Sequence, residues 1–329
     1  MSIMNPYLIS IVVPAYNEAE VLNEFCRRVR GVIDGLNDRF EIVFIKDGST
    51  DETLDVLKSL RESDDRIAII DLSRNYGKEI ALSAGLDYAR GDAAIPIDAD
   101  LQDPPELIPE LMDKWREGFN VVYARRQSRE GESLARKATA FAFYRVVQKF
   151  GGKVRLPADT GDFRLLDRKA LDALGRMREQ HRFMKGLFAV IGFRQTAVDY
   201  KRDPRFAGET KWNYWKLWNF SLEGVTSFTI APLKVSTYFG VFTAFFAFIY
   251  GAYIFLKALF FGDPVPGFPS LMMVVAFIGG IQLMVLGVLG EYLGRIFNET
   301  KHRPLYFVQE AIGFEGDEAT RKRTKVQAT

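Results

Sequence analysis

The 329-residue chain is poor in the residues that build disulfide frameworks and soft-metal centres, with one cysteine, Cys26, and two histidines, His181 and His302. A single thiol excludes an internal disulfide and a cysteine-based zinc site, and two imidazoles leave little for histidine-rich metal chemistry, so a reducing compartment is expected. A strong charge of either sign is also missing. The 44 Lys and Arg nearly cancel the 42 Asp and Glu, leaving a formal charge of +2. That balance gives no ground for nucleic-acid binding, and any basic function must be local. Met1 to Leu8 has neither the basic region nor the long apolar core of a secretory signal, so the leading domain is expected to stay in the cytoplasm. At 48% hydrophobic and 13% aromatic residues, the composition excludes a disordered chain.

Long hydrophobic runs are present, and late. From Val235 to Leu256 the only strongly polar groups are hydroxyls, and from Leu271 to Gly290 the only interruption is Gln282. Each run is long enough as a helix to cross a hydrocarbon core of about 30 Å, which predicts a two-helix membrane hairpin. The connector from Gly262 to Ser270 lacks Lys and Arg, whereas Lys216, Lys234, Arg295, Lys301 and Arg303 flank the other ends. The positive-inside rule therefore puts both ends in the cytoplasm, with Lys257 snorkelling near the outer interface. A buried helical hairpin in a soluble core is the alternative. Gly280, Gly287, Gly290 and Gly294 fit close packing of helices, either within the hairpin or between copies in a homo-oligomer. Trp212, Tyr214, Trp215, Trp218 and Phe220 with Lys211 and Lys216 read as an amphipathic helix at the headgroups or as an aromatic core helix. The domain reading is a catalytic domain over 1–210, juxtamembrane helices over 211–232, the hairpin over 233–294 and a cytoplasmic tail over 295–329, charged and aperiodic from Glu315.

Ahead of the hairpin, apolar strands at Ile9–Val13, Glu41–Ile45, Ile67–Leu72 and Ala93–Ile97 alternate with helical patterns such as Val21, Leu22, Phe25, Val29 and Thr53, Leu54, Leu57, Leu60. That alternation predicts an α/β fold with a mostly parallel, doubly wound sheet and a ligand site at the carboxyl ends of its strands. Polar clusters fall at those ends: Pro14-Ala15-Tyr16-Asn17-Glu18, then Asp47-Gly48-Ser49-Thr50-Asp51, then Asp98-Ala99-Asp100-Leu101-Gln102-Asp103. Asp-Gly-Ser-Thr-Asp alone also reads as a turn and helix cap. Asp98 and Asp100, two apart on a chain leaving a strand, offer two hard oxygen ligands to a divalent cation that bridges a diphosphate.

These stretches, with Ser73–Lys78, Asp159–Leu165 and Phe206–Trp212, resemble the family 2 inverting glycosyltransferases of GT-A fold. More narrowly they are similar to polyprenyl-phosphate glycosyltransferases, the relatives of dolichol-phosphate mannose synthase and bactoprenol glucosyltransferases. The resemblance implies transfer of one hexose from a nucleotide-sugar, UDP-glucose, to undecaprenyl or another polyprenyl phosphate at the cytoplasmic face of the inner membrane, with Mg2+ or Mn2+. Mannose or an aminoarabinose-type sugar is the alternative donor, and a membrane scaffold with an inactive nucleotide fold the alternative outside enzymes. The absence of a Gln-x-x-Arg-Trp motif favours a single transfer over polymerisation.

Carried over residue by residue, the resemblance makes Asp98, Asp100, Asp159 and Asp162 the catalytic residues, with Asp159 and Asp162 orienting the sugar or acceptor, and Asp98, Asp100 and Gln102 the metal set. Pro14, Tyr16, Asn17, Glu18, Asp47, Lys78 and Asp98 form the nucleotide-sugar pocket. Arg125, Arg136 and Lys137 bind the acceptor phosphate, and Arg205, Gly208 and Lys211 form a gate over the diphosphate. Lys78 and the basic residues also read as solvated surface charges. The family commonly has two acids where this chain has Lys46-Asp47. The acceptor needs no strong base, because a phosphate monoester with a second pKa near 6 is already largely dianionic at neutral pH.

Overall fold

The computed structural model describes residues 6–127, 160–201, 231–261 and 267–314. Its first half is the expected α/β layout. Strand β1 (Leu8–Ala15) leads to α1 (Ala19–Ile33), β2 (Arg39–Lys46), α2 (Thr53–Ser63), β3 (Ile67–Leu72), α3 (Lys78–Tyr88) and β4 (Ala93–Pro96). A short 3-10 turn and α4 (Ile108–Arg116) precede β5 (Val121–Arg126). From residue 160 onward come β6 (Thr160–Asp167), α5 (Arg168–Gly175), α6 (Met184–Val190) and β7 (Gln195–Tyr200). Two long helices, α7 (Ala231–Phe261) and α8 (Phe268–Thr300), and a last strand β8 (Val308–Ile312) complete the described chain.

The sheet has eight strands in the order β7-β5-β6-β4-β1-β2-β3-β8. Pairings among β4, β1, β2 and β3 are parallel. The chain moves outward from β1 to β3 and then returns to the other side of β1 for β4. The strand order therefore reverses between β1 and β4, which is where a doubly wound sheet opens its ligand crevice.

Because successive strand residues point to opposite faces, two cores form. Ile9, Ile11, Val13, Ile42, Phe44 and Ile69 pack under α1, α2 and α4, whose contributions include Phe25, Val29, Leu57 and Leu111. Val12, Val43, Ile45, Ala68 and Ile70 pack on the other face under α3, α5 and α6. Helix α3 comes very close to the sheet at Gly85, where a Cβ would lie 2.4 Å from both Val12 and Ile45 side chains. Only glycine permits that approach.

Helices α7 and α8 carry apolar spans at Val235–Tyr253 and Met273–Thr300, of which 0% and 6% are buried. Side chains such as Phe242, Phe245, Phe248, Leu283 and Met284 point outward. This is the reverse of a soluble core helix, so the buried-hairpin reading is set aside, and a bilayer is the solvent that such a surface requires.

The end of α8 is tied to the α/β domain. Gln180 donates its backbone N–H to Glu299 Oε1 at 2.7 Å and its side-chain amide to the Arg303 carbonyl at 2.5 Å, and Asn298 Nδ2 lies 3.1 Å from His181 Nε2. The chain then buries Leu305 and Tyr306 and adds β8 antiparallel to β3. Part of the segment assigned to the tail is thus an edge strand of the eight-stranded sheet, a pairing between residues too distant in sequence to be read locally.

Candidate active site

The crevice beyond β1 and β4 is built from loops stitched to one another. Asn17, at φ +53°, donates its N–H to Ser49 Oγ at 3.0 Å and accepts from the Thr50 N–H at 2.9 Å. Glu18 donates its N–H to Thr53 Oγ1 at 3.1 Å, and Ala19 to Asp51 at 3.3 Å. These bonds fix the Pro14–Glu18 turn against the loop after β2 and leave Tyr16 partly exposed at the rim.

Asp47 is buried, and its two oxygens accept the backbone N–H groups of Tyr76 and Gly77 at 2.7 and 2.8 Å. Burial pushes its carboxyl above the ordinary range, although both amides stabilise the anion and oppose the shift. Its carboxylate is therefore engaged in clasping the β3–α3 loop. Gly48 supports the same contact: at φ +63° it passes so close to Asn75 that a Cβ would stand 2.2 Å from the Asn75 nitrogen. Lys46 is paired with Asp71 at 2.9 Å across the parallel strands β2 and β3.

The clasped loop delivers Lys78 to the centre of the site. Its ammonium lies 2.7 Å from Asp98 Oδ2 and 2.8 Å from Asp162 Oδ2, joining the end of β4 to β6. Desolvation disfavours the charged amine, but the two carboxylates outweigh it and hold Lys78 well above the ordinary lysine range. Burial raises Asp98, with Lys78 opposing. For Asp162 the desolvation is outweighed by Lys78 and Lys185, which hold the carboxyl below its ordinary range. Its Oδ1 is buried without a hydrogen-bond partner, so the site keeps one acceptor unsatisfied.

Asp100 accepts the Gln102 N–H at 3.2 Å in a turn where Leu101 adopts φ +58°. No cluster of three or more His, Cys, Asp or Glu forms a ready-made metal cage among the described residues. The donor chemistry still suits a hard cation, since Mg2+ takes only one or two carboxylates and fills its shell with water and substrate phosphates.

Strand β5 places its two arginines on different faces. Arg125 forms a two-pronged pair with Asp199 at 2.6 and 2.8 Å on the exposed side. Arg126 turns inward, donating to Tyr200 Oη at 3.2 Å and lying 3.9 Å from Asp103. Tyr200 donates to Asp103. A Cβ on Gly161 would stand 3.2 Å from Arg126 Nη2, so glycine leaves the guanidinium room over the start of β6. The expected acceptor arginine, Arg125, thus does not join the cluster and its neighbour does.

Lys185, at the start of α6, is a further member that sequence reasoning missed. Desolvation lowers its ammonium from the ordinary range, with the Asp162 charge opposing, and no hydrogen bond or ion pair holds it among the described residues. A single lysine in an apolar segment carries no sequence signal, and only the fold brings it beside Asp162. Asp159, Arg136, Lys137, Arg205, Gly208 and Lys211 lie outside the described residues.

The model for glycosyl transferase family 2 matches residues 10–175, and that for the GtrB C-terminal hairpin matches residues 231–296. The uncharacterized glycosyltransferase sll0501 of Synechocystis sp. is 52% identical over 93% of this chain and 96% of its own. The uncharacterized glycosyltransferase YkcC of Bacillus subtilis is 46% identical over 93% and 94%. The bactoprenol glucosyl transferase of Shigella phage SfV is 45% identical over 92% and 98%. The catalytic core and the hairpin are both included in those matches, and the chain belongs to glycosyl transferase family 2.

Proposed function

We propose that this protein transfers glucose from UDP-glucose to a polyprenyl phosphate, with its catalytic domain on the cytoplasmic side of the inner membrane. The observation that carries the reading is the 45% identity to a bactoprenol glucosyl transferase over 92% of the chain, which spans both the charged crevice and the apolar hairpin. A water-soluble acceptor would need no such hairpin.

Asp98 and Asp100, with Gln102 beside them, are the residues that would hold Mg2+ or Mn2+; the ion, when bound, neutralises charge on the departing diphosphate. Lys78 bridges the two acidic strands, favours the ionised form of both carboxylates and fixes them before substrate arrives. The free oxygen of Asp162 can accept a hydroxyl of the sugar and orient it. Arg126 and Lys185 supply positive charge beside the carboxylates, suited to an acceptor phosphate that arrives as a dianion. The phosphate oxygen attacks the anomeric carbon as the bond to the diphosphate breaks, and no proton has to be removed from it.

The test is mass spectrometry of lipids extracted after the full-length protein has been incubated with undecaprenyl phosphate and a panel of nucleotide-sugars. A glucosylated lipid phosphate, formed only with UDP-glucose and lost with chelator, is expected. Product from another sugar would overturn the donor assignment, and undiminished product in chelator would overturn the metal.

A further inference from the structure

A cavity of about 600 Å³ lies where α8 meets the catalytic domain, away from the carboxylate crevice. Its walls come from the end of α3, from α5 and the turn after it, and from the segment His302–Tyr306 that leaves α8. The volume is that of a small-ligand site. Four arginines and two aspartates line it, and the aspartates are already engaged. Arg178 pairs with Asp87 at 2.6 and 3.0 Å, where Tyr306 Oη also donates at 2.9 Å. Arg168 donates to the carbonyls of Ala89 and Gly91 and approaches Asp172 at 3.7 Å. The guanidinium groups of the other two arginines, Arg176 and Arg303, both exposed, have no hydrogen-bond or ion-pair partner among the described residues, and His302 also lines the cavity. The cavity therefore presents two uncommitted guanidinium forks, the group best matched to phosphate oxygens.

Its position narrows the source of the phosphate. The last turns of α8 still expose Leu293, Ile296 and Phe297, at 64%, 56% and 59%, and the Lys301 ammonium folds back to 3.7 Å from the Phe297 ring centre. The same turns carry Glu291, Arg295 and Glu299, with Arg295 and Glu291 ion-paired at 3.0 Å, and this mixture of apolar and charged side chains is that of a helix leaving the hydrocarbon core. The cavity lining begins at His302, directly after these turns, on the side of the hairpin that carries the α/β domain.

We infer that the cavity takes the phosphate of an anionic phospholipid headgroup, gripped by Arg176 and Arg303, from the leaflet that faces the catalytic domain. The inference rests on the membrane reading of the hairpin and not on glucosyl transfer. A lipid held there would fasten the end of α8 to α3 and α5 and set the height of the catalytic crevice above the bilayer.

The test uses the full-length protein in nanodiscs of phosphatidylcholine with or without phosphatidylglycerol. Native mass spectrometry reads the lipid retained, and thermal melting is titrated with dihexanoyl phosphatidylglycerol or with inorganic phosphate. Phosphatidylglycerol should be retained over phosphatidylcholine, and R176Q and R303Q should each weaken its binding roughly tenfold or more. R176K and R303K, which keep the charge and change least in folding, should recover only part. The Arg303 backbone carbonyl still accepts from Gln180 in these variants. Undiminished retention in the paired glutamine variant would overturn the site. Inorganic phosphate that displaces the lipid at equal affinity would overturn the lipid source. Failure to enter nanodiscs would overturn the membrane reading beneath it, whereas loss of glucosyl transfer with retention intact would bear on the proposed function alone.

Discussion

Along β5 the side chains alternate between faces, so Arg126 turns toward Asp103 and Tyr200 while Arg125 turns outward to Asp199. An exposed pair contributes little, whereas an inward cation next to the reacting groups acts on the phosphate itself. Arg126→Ala is expected to lower kcat/KM for the lipid acceptor roughly tenfold to a hundredfold, and Arg125→Ala less than about threefold, in transfer kinetics at saturating nucleotide-sugar. Equal losses would refute the assignment by face. The sequence contained both arginines, but the face that each takes depends on strand register, and register is set by pairing with β6 and β7. For Glu79, burial and the nearby Asp162 charge push the carboxyl up to about 7, although the Met184 N–H donates to it. A carboxyl raised in the folded state stabilises fully below its unfolded pKa, and that contribution is lost as pH rises through the folded value. Melting in detergent should therefore show Glu79→Gln gaining on the parent protein between about pH 4.5 and 7, and a constant difference would refute the raised pKa.

Among the elements, the first four strands and their helices were legible because each carries its own apolar period, and Ile67–Leu72 coincides with β3. Asp98 and Asp100 were legible because they follow such a strand directly. Strand β8 was not. Its sequence Val-Gln-Glu-Ala-Ile is mostly exposed, and its place depends on β3 and on the aromatic anchors around it. Phe314, which follows it, is 6% exposed, with its ring 5.4 Å from Tyr88 and the Arg90 guanidinium 5.1 Å above it. Phe314→Ala should cost about 3 kcal/mol in denaturant unfolding, against under about 0.5 kcal/mol for Glu310→Ala, whose ion pair with Lys58 is exposed. Similar small costs for both would mean that the strand is only loosely attached.

For the whole molecule, the hairpin is expected to place its connector on the side opposite the catalytic domain. A cysteine at Ser270 should react with an impermeant maleimide in intact cells, and one at Asn23, exposed on α1, should react only after lysis. Cys26 needs no replacement for this test, since it is fully buried and burial pushes its thiol up to about 12. The reverse labelling pattern would invert the topology. The attachment of β8 beside β3 also dictates an order of events during synthesis. The edge of β3 stays open until the ribosome has made both membrane helices, a delay of roughly 10–50 s at about 5–20 residues per second. During that interval the nascent domain offers an unpaired strand edge to its surroundings. Closure of the sheet thus follows synthesis of the hairpin, and a chain cut short before Val308 is left with an adhesive edge that nothing of its own can cover.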